Sequence, residues 1–283
     1  MMDPVQDSKN IDAHTVEGFG REWRSFTQSD LSQTDKAKIF EEYFSIFPWH
    51  LLAKETAVGA DVGCGSGRWA ALVAPKVGKV HLVDASARAI QVAQENLSGV
   101  SNVDFHHASV DTIPVPDGSL DFAYSLGVLH CVPDPQQAIF SISAKLKAGA
   151  PFLLYLYYAF DNQPYWYYCL WRSSDFGRSI VSRLPYSVRY WISQWLAVAV
   201  SWPLARTARL LERFNLLPKS WPLAYYRDKS FYVMRTDSLD RFGTKREQRF
   251  TRKQIQAMLE RAGFGNIRFS ESPPYWCVVG IKS

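Results

Sequence analysis

From residue 57 onward the chain alternates short apolar runs with stretches whose apolar positions recur at helical spacing. Ala57–Val62, Val80–Asp84, Val103–His106, a run through Asp117–His130, and Pro151–Tyr157 read as five strands. Strands alternating with helices predict an α/β fold with a parallel, doubly wound sheet. Ahead of it, Val16–Phe26 is amphipathic, with Phe19, Trp23 and Phe26 at helical spacings, and Asp35–Trp49 predicts a second helix with Phe40, Phe44 and Phe47 on one side. Residues 1–12 are polar and are expected to be disordered. After the fifth strand the alternation stops. It resumes at Thr251–Ala262, a helix with Ile255, Met258 and Leu259 on its apolar face and Gly263 as its stop, followed by strands at Asn266–Ser270 and Trp276–Ile281. The chain therefore divides into N-terminal helices (1–56), a core (57–159), an insertion of about ninety residues (160–250) and a segment completing the core (251–283).

Charge sharpens this division. The formal net charge of +5 hides an asymmetry: 12 basic and 18 acidic residues through Ala159 give −6, and 20 and 9 from Phe160 onward give +11. A basic second half suits an anionic substrate, a membrane surface or RNA, and also a solvated face with no ligand. Within the insertion, Trp191, Trp195 and Trp202 fall within roughly 40° of one another on a helix, and Arg209 and Arg213 extend the stripe if Pro203 only kinks it. Such a stripe suits an interfacial helix on a bilayer, a greasy tunnel, a dimer seam or core packing. Ser193, Gln194, Ser201 and Pro203 interrupt it, and it is too short for a membrane span. Cys64, Cys131, Cys169 and Cys277 are scattered singly, so no metal site is expected from them. The polar N-terminus carries no apolar leader, and a cytoplasmic protein is expected, in peripheral contact with the inner membrane face if the tryptophans bind lipid.

The densest chemistry lies in Ala60-Asp61-Val62-Gly63-Cys64-Gly65-Ser66-Gly67. An acid and three alternating glycines at a strand end make a nucleotide-binding turn: glycine admits positive φ and close ligand approach, and the next helix offers free N–H groups to a carboxylate. A dinucleotide fingerprint would need a third glycine where Arg68 stands. Asp61 argues the same way, because it would accept an ammonium and repel a diphosphate. The second strand ends in Asp84, about 20 residues on, where a ribose-binding carboxylate belongs.

With these motifs in register, the chain resembles the class I S-adenosylmethionine-dependent methyltransferase superfamily (type 11-like). The resemblance implies a Rossmann-like sheet closed by an antiparallel last strand, and S-adenosylmethionine as cofactor. It places the cofactor against Asp61, Gly63, Cys64, Gly65 and Gly67, then Asp84 and Ala85, then Ser109, Val110 and Asp111, and finally Ser125, Leu126 and Gly127. The family commonly has Asp where Ser109 stands, so the adenine contact is open between Ser109 and Asp111. Comparable N-terminal helices often close over the cofactor, so Trp23 and Phe26 fit a lid as well as they fit a helix packed on the sheet. Insertions after the fifth strand commonly form an acceptor cap.

His130, just past the fourth strand, is the candidate base, with pocket shaping as its alternative role; Tyr157 and Asp161 are the other catalytic candidates. His106 and His107 read as structural. Tyr158, Arg227, Tyr232, Arg235 and Arg241 are the candidate acceptor contacts, because arginine forks and tyrosine rings suit a polar acceptor. A salt-bridged connector is the alternative for that segment. The function implied is methyl transfer to a small-molecule or lipid-linked acceptor, an oxygen nucleophile. RNA methylation is the second reading, although Ser272-Pro273-Pro274-Tyr275, similar to the turn of adenine amino methyltransferases, sits between the last two strands rather than after the fourth. A cofactor-binding role without methyl transfer, cyclase-like or non-catalytic, is the third.

Overall fold

The computed structural model describes residues 10–28, 31–243 and 246–283. Seven strands form one sheet in the order β3-β2-β1-β4-β5-β7-β6. β1 (Val58–Val62), β2 (Lys79–Asp84), β3 (Val103–His107), β4 (Phe122–Leu126) and β5 (Pro151–Tyr155) are parallel. β7 (Cys277–Lys282) inserts antiparallel between β5 and β6 (Phe264–Phe269). The predicted Rossmann-like sheet with an antiparallel last strand is thus present. Chain order reverses between β1 and β4, which lie side by side, and in open α/β sheets ligands gather at the carboxyl ends beside such a reversal.

The helices around the core are α1 (Ala13–Ser25), α2 (Gln33–Phe44), α3 (Ala70–Val73), α4 (Ala87–Asn96) and α5 (Pro135–Lys145). Asp12 caps α1 by accepting from the Thr15 N–H at 2.9 Å. Ser86 and Asp134 cap α4 and α5 in the same way. The predicted second helix stops at Phe44 rather than Trp49, since Pro48 disfavours helical backbone in the residue before it. Phe47 and Trp49 then fold back as an aromatic cluster with Phe40 and Phe44, touching Phe122 and Tyr124 of β4. One continuous core runs from Ala60 and Val62 through Ile139, Ile142, Phe152 and Leu154 to Leu259 and Val278. The fourth and fifth strands end earlier than their apolar runs, at Leu126 and Tyr155, because the backbone there turns to shape the site.

Two compact units are present: Met1–Ser29, Lys36–Ala159 and Arg246–Ser283 make the first, and Asp30–Asp35 with Phe160–Lys245 the second. The second contains α6 (Tyr165–Val181), α7 (Tyr186–Leu196), a π-helical turn over Ala197–Ser201, α8 (Trp202–Arg213) and α9 (Phe231–Gly243). Pro203 lacks an N–H and its ring crowds the preceding turn, which widens immediately before it. The helix therefore continues through the proline. In the first unit α10 (Arg252–Arg261) begins with a reciprocal capping box between Thr251 and Gln254. Of the stretch expected to be disordered, residues 1–9 lie outside the described residues. Asn10, however, is buried, exchanging hydrogen bonds with the Asp134 backbone at 2.7 and 2.8 Å and donating its N–H to Asp111 at 3.1 Å. The backbone partners, 124 positions away, were invisible to a local reading.

Candidate active site

The turn after β1 is built as its glycines require. Gly63, Gly65 and Gly67 have φ of +79°, +53° and +72°. At Gly63 a Cβ would lie 2.4 Å from Val128, and at Gly65 it would lie 2.7 Å from the Trp23 indole. Trp23 of α1 thus lies directly on the glycine turn, and Phe26 is buried. Arg68 does not face a phosphate: its guanidinium stacks 4.4 Å above Trp69 and 5.5 Å from Trp23. The Cys64 thiol is buried, and burial raises its pKa well above the ordinary thiol range.

Two acids frame the turn. Asp84, at the end of β2, accepts from the Gly65 N–H at 2.9 Å and from the Ser86 N–H at 2.8 Å. Burial raises its pKa, and those two backbone donors oppose the rise. Asp61 is buried, with its Oδ2 left without a hydrogen bond. Burial is the first cause of a pKa pushed up to about 8; Asp84 adds to the rise, and the Tyr124 hydroxyl and Arg68 oppose it. A buried carboxylate oxygen lacking a donor is costly, and a cationic donor arriving beside it would remove that cost. This orphaned oxygen and the strand-end carboxylate of Asp84 fit S-adenosylmethionine, which carries an ammonium and a ribose.

Past β3, the Ser109 hydroxyl accepts from the Asp111 N–H at 3.3 Å, and Asp111 holds the Asn10 N–H. Both adenine candidates are therefore engaged within the protein. Val110 is buried between them. His107 lies 3.1 Å from the Ala85 carbonyl, and His106 pairs with His81 at 3.0 Å. His81, His106 and Asp104 bring three metal-type ligand atoms within 4.8 Å of one another. Lys79 already pairs with Asp104 there, at 2.7 Å.

On the β4 side, the Ser125 hydroxyl is buried and donates to the Val62 carbonyl at 2.8 Å, tying β4 to β1. Leu126 and Gly127 follow, with Gly127 at φ +78° donating to the Tyr155 carbonyl at 3.1 Å. His130 is buried and stacks on Tyr157 with ring centroids 3.8 Å apart. Burial, with Arg249 nearby, pushes its pKa down to about 3. Its Nδ1 lacks a hydrogen bond. Arg249 lies 5.1 Å from the Tyr157 ring and donates to the Tyr158 carbonyl at 3.2 Å. Tyr155 and Tyr43 continue the aromatic wall from Tyr157 toward Trp69. Tyr158 turns instead toward Tyr275 and Trp276.

The remaining candidates belong to the second unit. Asp161 is exposed there. Arg227 pairs with Glu212 at 2.9 Å, Arg235 donates to Gln194 and to the Tyr190 hydroxyl, and Arg241 donates to Ser174 at 2.7 Å. Tyr232 stands in the first turn of α9. Each arginine thus bonds within its own unit. Local sequence gave no sign of Arg249 or Tyr43 in the wall, since both come from distant segments. Trp69, next to the glycine turn, could have been found from its place.

The part of the chain carrying these features, residues 60–154, matches the family model described as "Methyltransferase domain". Residues 60–154 carry a methyltransferase domain. It is 30% identical over 145 residues to an uncharacterized chloroplastic methyltransferase of Arabidopsis thaliana, covering 48% of this chain and 39% of that protein. It is 32% identical over 101 residues to the uncharacterized methyltransferase YcgJ of Bacillus subtilis, covering 35% and 40%. The chain thus spans about two-fifths of the length of these relatives. In fold, it superimposes with a TM-score of 0.50 and 14% identity on a chain from the complex between the Haloferax volcanii Trm112 methyltransferase activator and a methyltransferase, covering 96% of this chain and 98% of that one.

Proposed function

We propose that the protein transfers a methyl group from S-adenosylmethionine to a small-molecule or lipid-linked acceptor, with oxygen as the nucleophile. The observation that carries the proposal is the pairing of a positive-φ glycine turn with the orphaned Oδ2 of Asp61 and the strand-end carboxylate of Asp84. Asp61 takes the cofactor's ammonium and Asp84 its ribose hydroxyls. The bound cofactor supplies an activated methyl group, so the protein's contribution is mainly alignment. His130 and Tyr157 form a rigid stacked wall, and a ring whose proton is lost far below neutrality is a weak base. We assign His130 to shaping the acceptor side.

Incubation with methyl-labelled cofactor and fractionated cell extract tests this. Label should enter a small-molecule or lipid fraction as S-adenosylhomocysteine accumulates. Label confined to RNA would overturn the acceptor reading. Cofactor binding without S-adenosylhomocysteine formation would overturn methyl transfer itself.

A further inference from the structure

The second unit turns a row of large apolar side chains outward. Along α7 and its continuation, Val188, Trp191, Trp195, Val198 and Trp202 follow one another at spacings of three and four residues, and all are exposed, at 43%, 71%, 65%, 56% and 46%. The opposite face buries Ser193, Gln194, Ala197, Ala205 and Ala208. Gln194 there accepts from Arg235 of α9, and Ser201 meets Ser238. A helix of a water-soluble surface shows the reverse arrangement, apolar toward its neighbours and polar toward solvent. The pattern extends to α6, where Trp166, Phe176 and Ile180 are exposed at half or more. Apart from Leu51 and Phe140, all the exposed large apolar side chains among the described residues lie in this unit. Contiguous apolar surface on that scale marks an interaction site.

Charge indicates what covers it. From Tyr165 to Arg213 the three helices and their connections carry seven arginines, no lysine, and only Asp175 and Glu212 as acids. Arg172, Arg183 and Arg213 are exposed. Tryptophans beside arginines, outside a polar helical interior, form the surface of an element lying in a lipid headgroup region, with rings at the acyl boundary and guanidinium groups on anionic headgroups. No described helix is long and apolar enough to cross a membrane. We propose that the face carrying Trp191, Trp195 and Trp202 docks the protein onto an anionic bilayer surface. This deepens the lipid-linked acceptor reading above. Docking is read without methyl transfer, so either proposal can fail alone.

The test is sedimentation of the full chain with phosphatidylcholine vesicles containing or lacking phosphatidylglycerol, together with tryptophan quenching by brominated lipid. Binding should be at least tenfold tighter with phosphatidylglycerol and should weaken as salt rises. Trp191→Ser with Trp195→Ser should reduce it by at least tenfold and abolish quenching, with circular dichroism and Tm unchanged because these side chains are already in water. Arg172→Glu with Arg213→Glu should remove the preference for phosphatidylglycerol. Absence of sedimentation with either vesicle would overturn the proposal. Undiminished sedimentation of the tryptophan variant would overturn it too. A dimer in light scattering that the tryptophan substitutions dissociate, without vesicle binding, would assign the face to a second copy instead.

Discussion

Single residues in the site are tuned by burial, and the tuning has signs that can be measured. Asp84→Ala removes a carboxylate positioned by the Gly65 and Ser86 N–H groups, and each charge-assisted hydrogen bond to ribose contributes about 1.5 to 3 kcal/mol. Calorimetric titration should show cofactor affinity at least about tenfold weaker, and unchanged affinity in a folded variant would rule out the ribose assignment. Asp61 is an acid with a raised pKa of about 8, so the folded chain keeps a proton that the unfolded chain loses above about 4. Its contribution to stability is present below about pH 4 and is lost as pH rises through about 8. An ammonium beside it favours ionisation, so cofactor binding near pH 7 should release a proton. Binding heats should then differ between buffers of different ionisation enthalpy, and Asp61→Asn should remove the difference. His130 has the opposite linkage: its pKa of about 3 lies below the ordinary value, so its contribution is full above about pH 6.5 and is lost as pH falls toward 3. His130→Phe keeps a ring over Tyr157 without a titrating group. It should move the acid-unfolding midpoint to lower pH, and its effect on turnover should be the same across roughly pH 6.5 to 9. A defect that shrinks with rising pH would restore the base role.

Elements here are fixed by caps and turns as much as by apolar stripes. The Thr251 and Gln254 side chains close the first turn of α10, which presents Ile255, Met258 and Leu259 to the core. Thr251→Ala should cost about 1 kcal/mol, seen as a lower urea midpoint with an unchanged slope. This helix was readable from its sequence, because both the cap and the stripe are local. α2 was readable in its body and not at its end, since Pro48 and the aromatic cluster on β4 together set where it stops. The helix running from α7 into α8 shows the limit of stripe reading. Three tryptophans on one side were evident, yet spacing reports only that apolar residues share a face. Burial of Ser193 and Gln194 on the other side shows that the face is turned outward.

At the scale of the whole molecule, the arginines of α9 and the segment before it hold the second unit together. Arg235→Ala breaks the links to Gln194 and Tyr190 and leaves the buried Gln194 carbonyl oxygen without its arginine donor. It should lower the stability of that unit by about 1 to 3 kcal/mol, measured by hydrogen exchange over α7 and α9, while cofactor affinity stays near wild type. Loss of activity with undiminished exchange protection would return Arg235 to acceptor binding. The sequence by itself determined the strand and helix order and the glycine turn with Asp61 and Asp84, because each is written in periodicity or spacing over a few neighbouring residues, and these motifs carried the resemblance to methyltransferases. Tertiary structure decided the rest: the Asn10 bonds to Asp111 and Asp134, the seating of Trp23 on Gly65, the burial that holds His130 neutral against Tyr157, and the outward turn of the tryptophan face. These depend on contacts between residues distant in the chain. A linear pattern carries polarity and period, whereas desolvation and partnership exist only once the chain has closed around them.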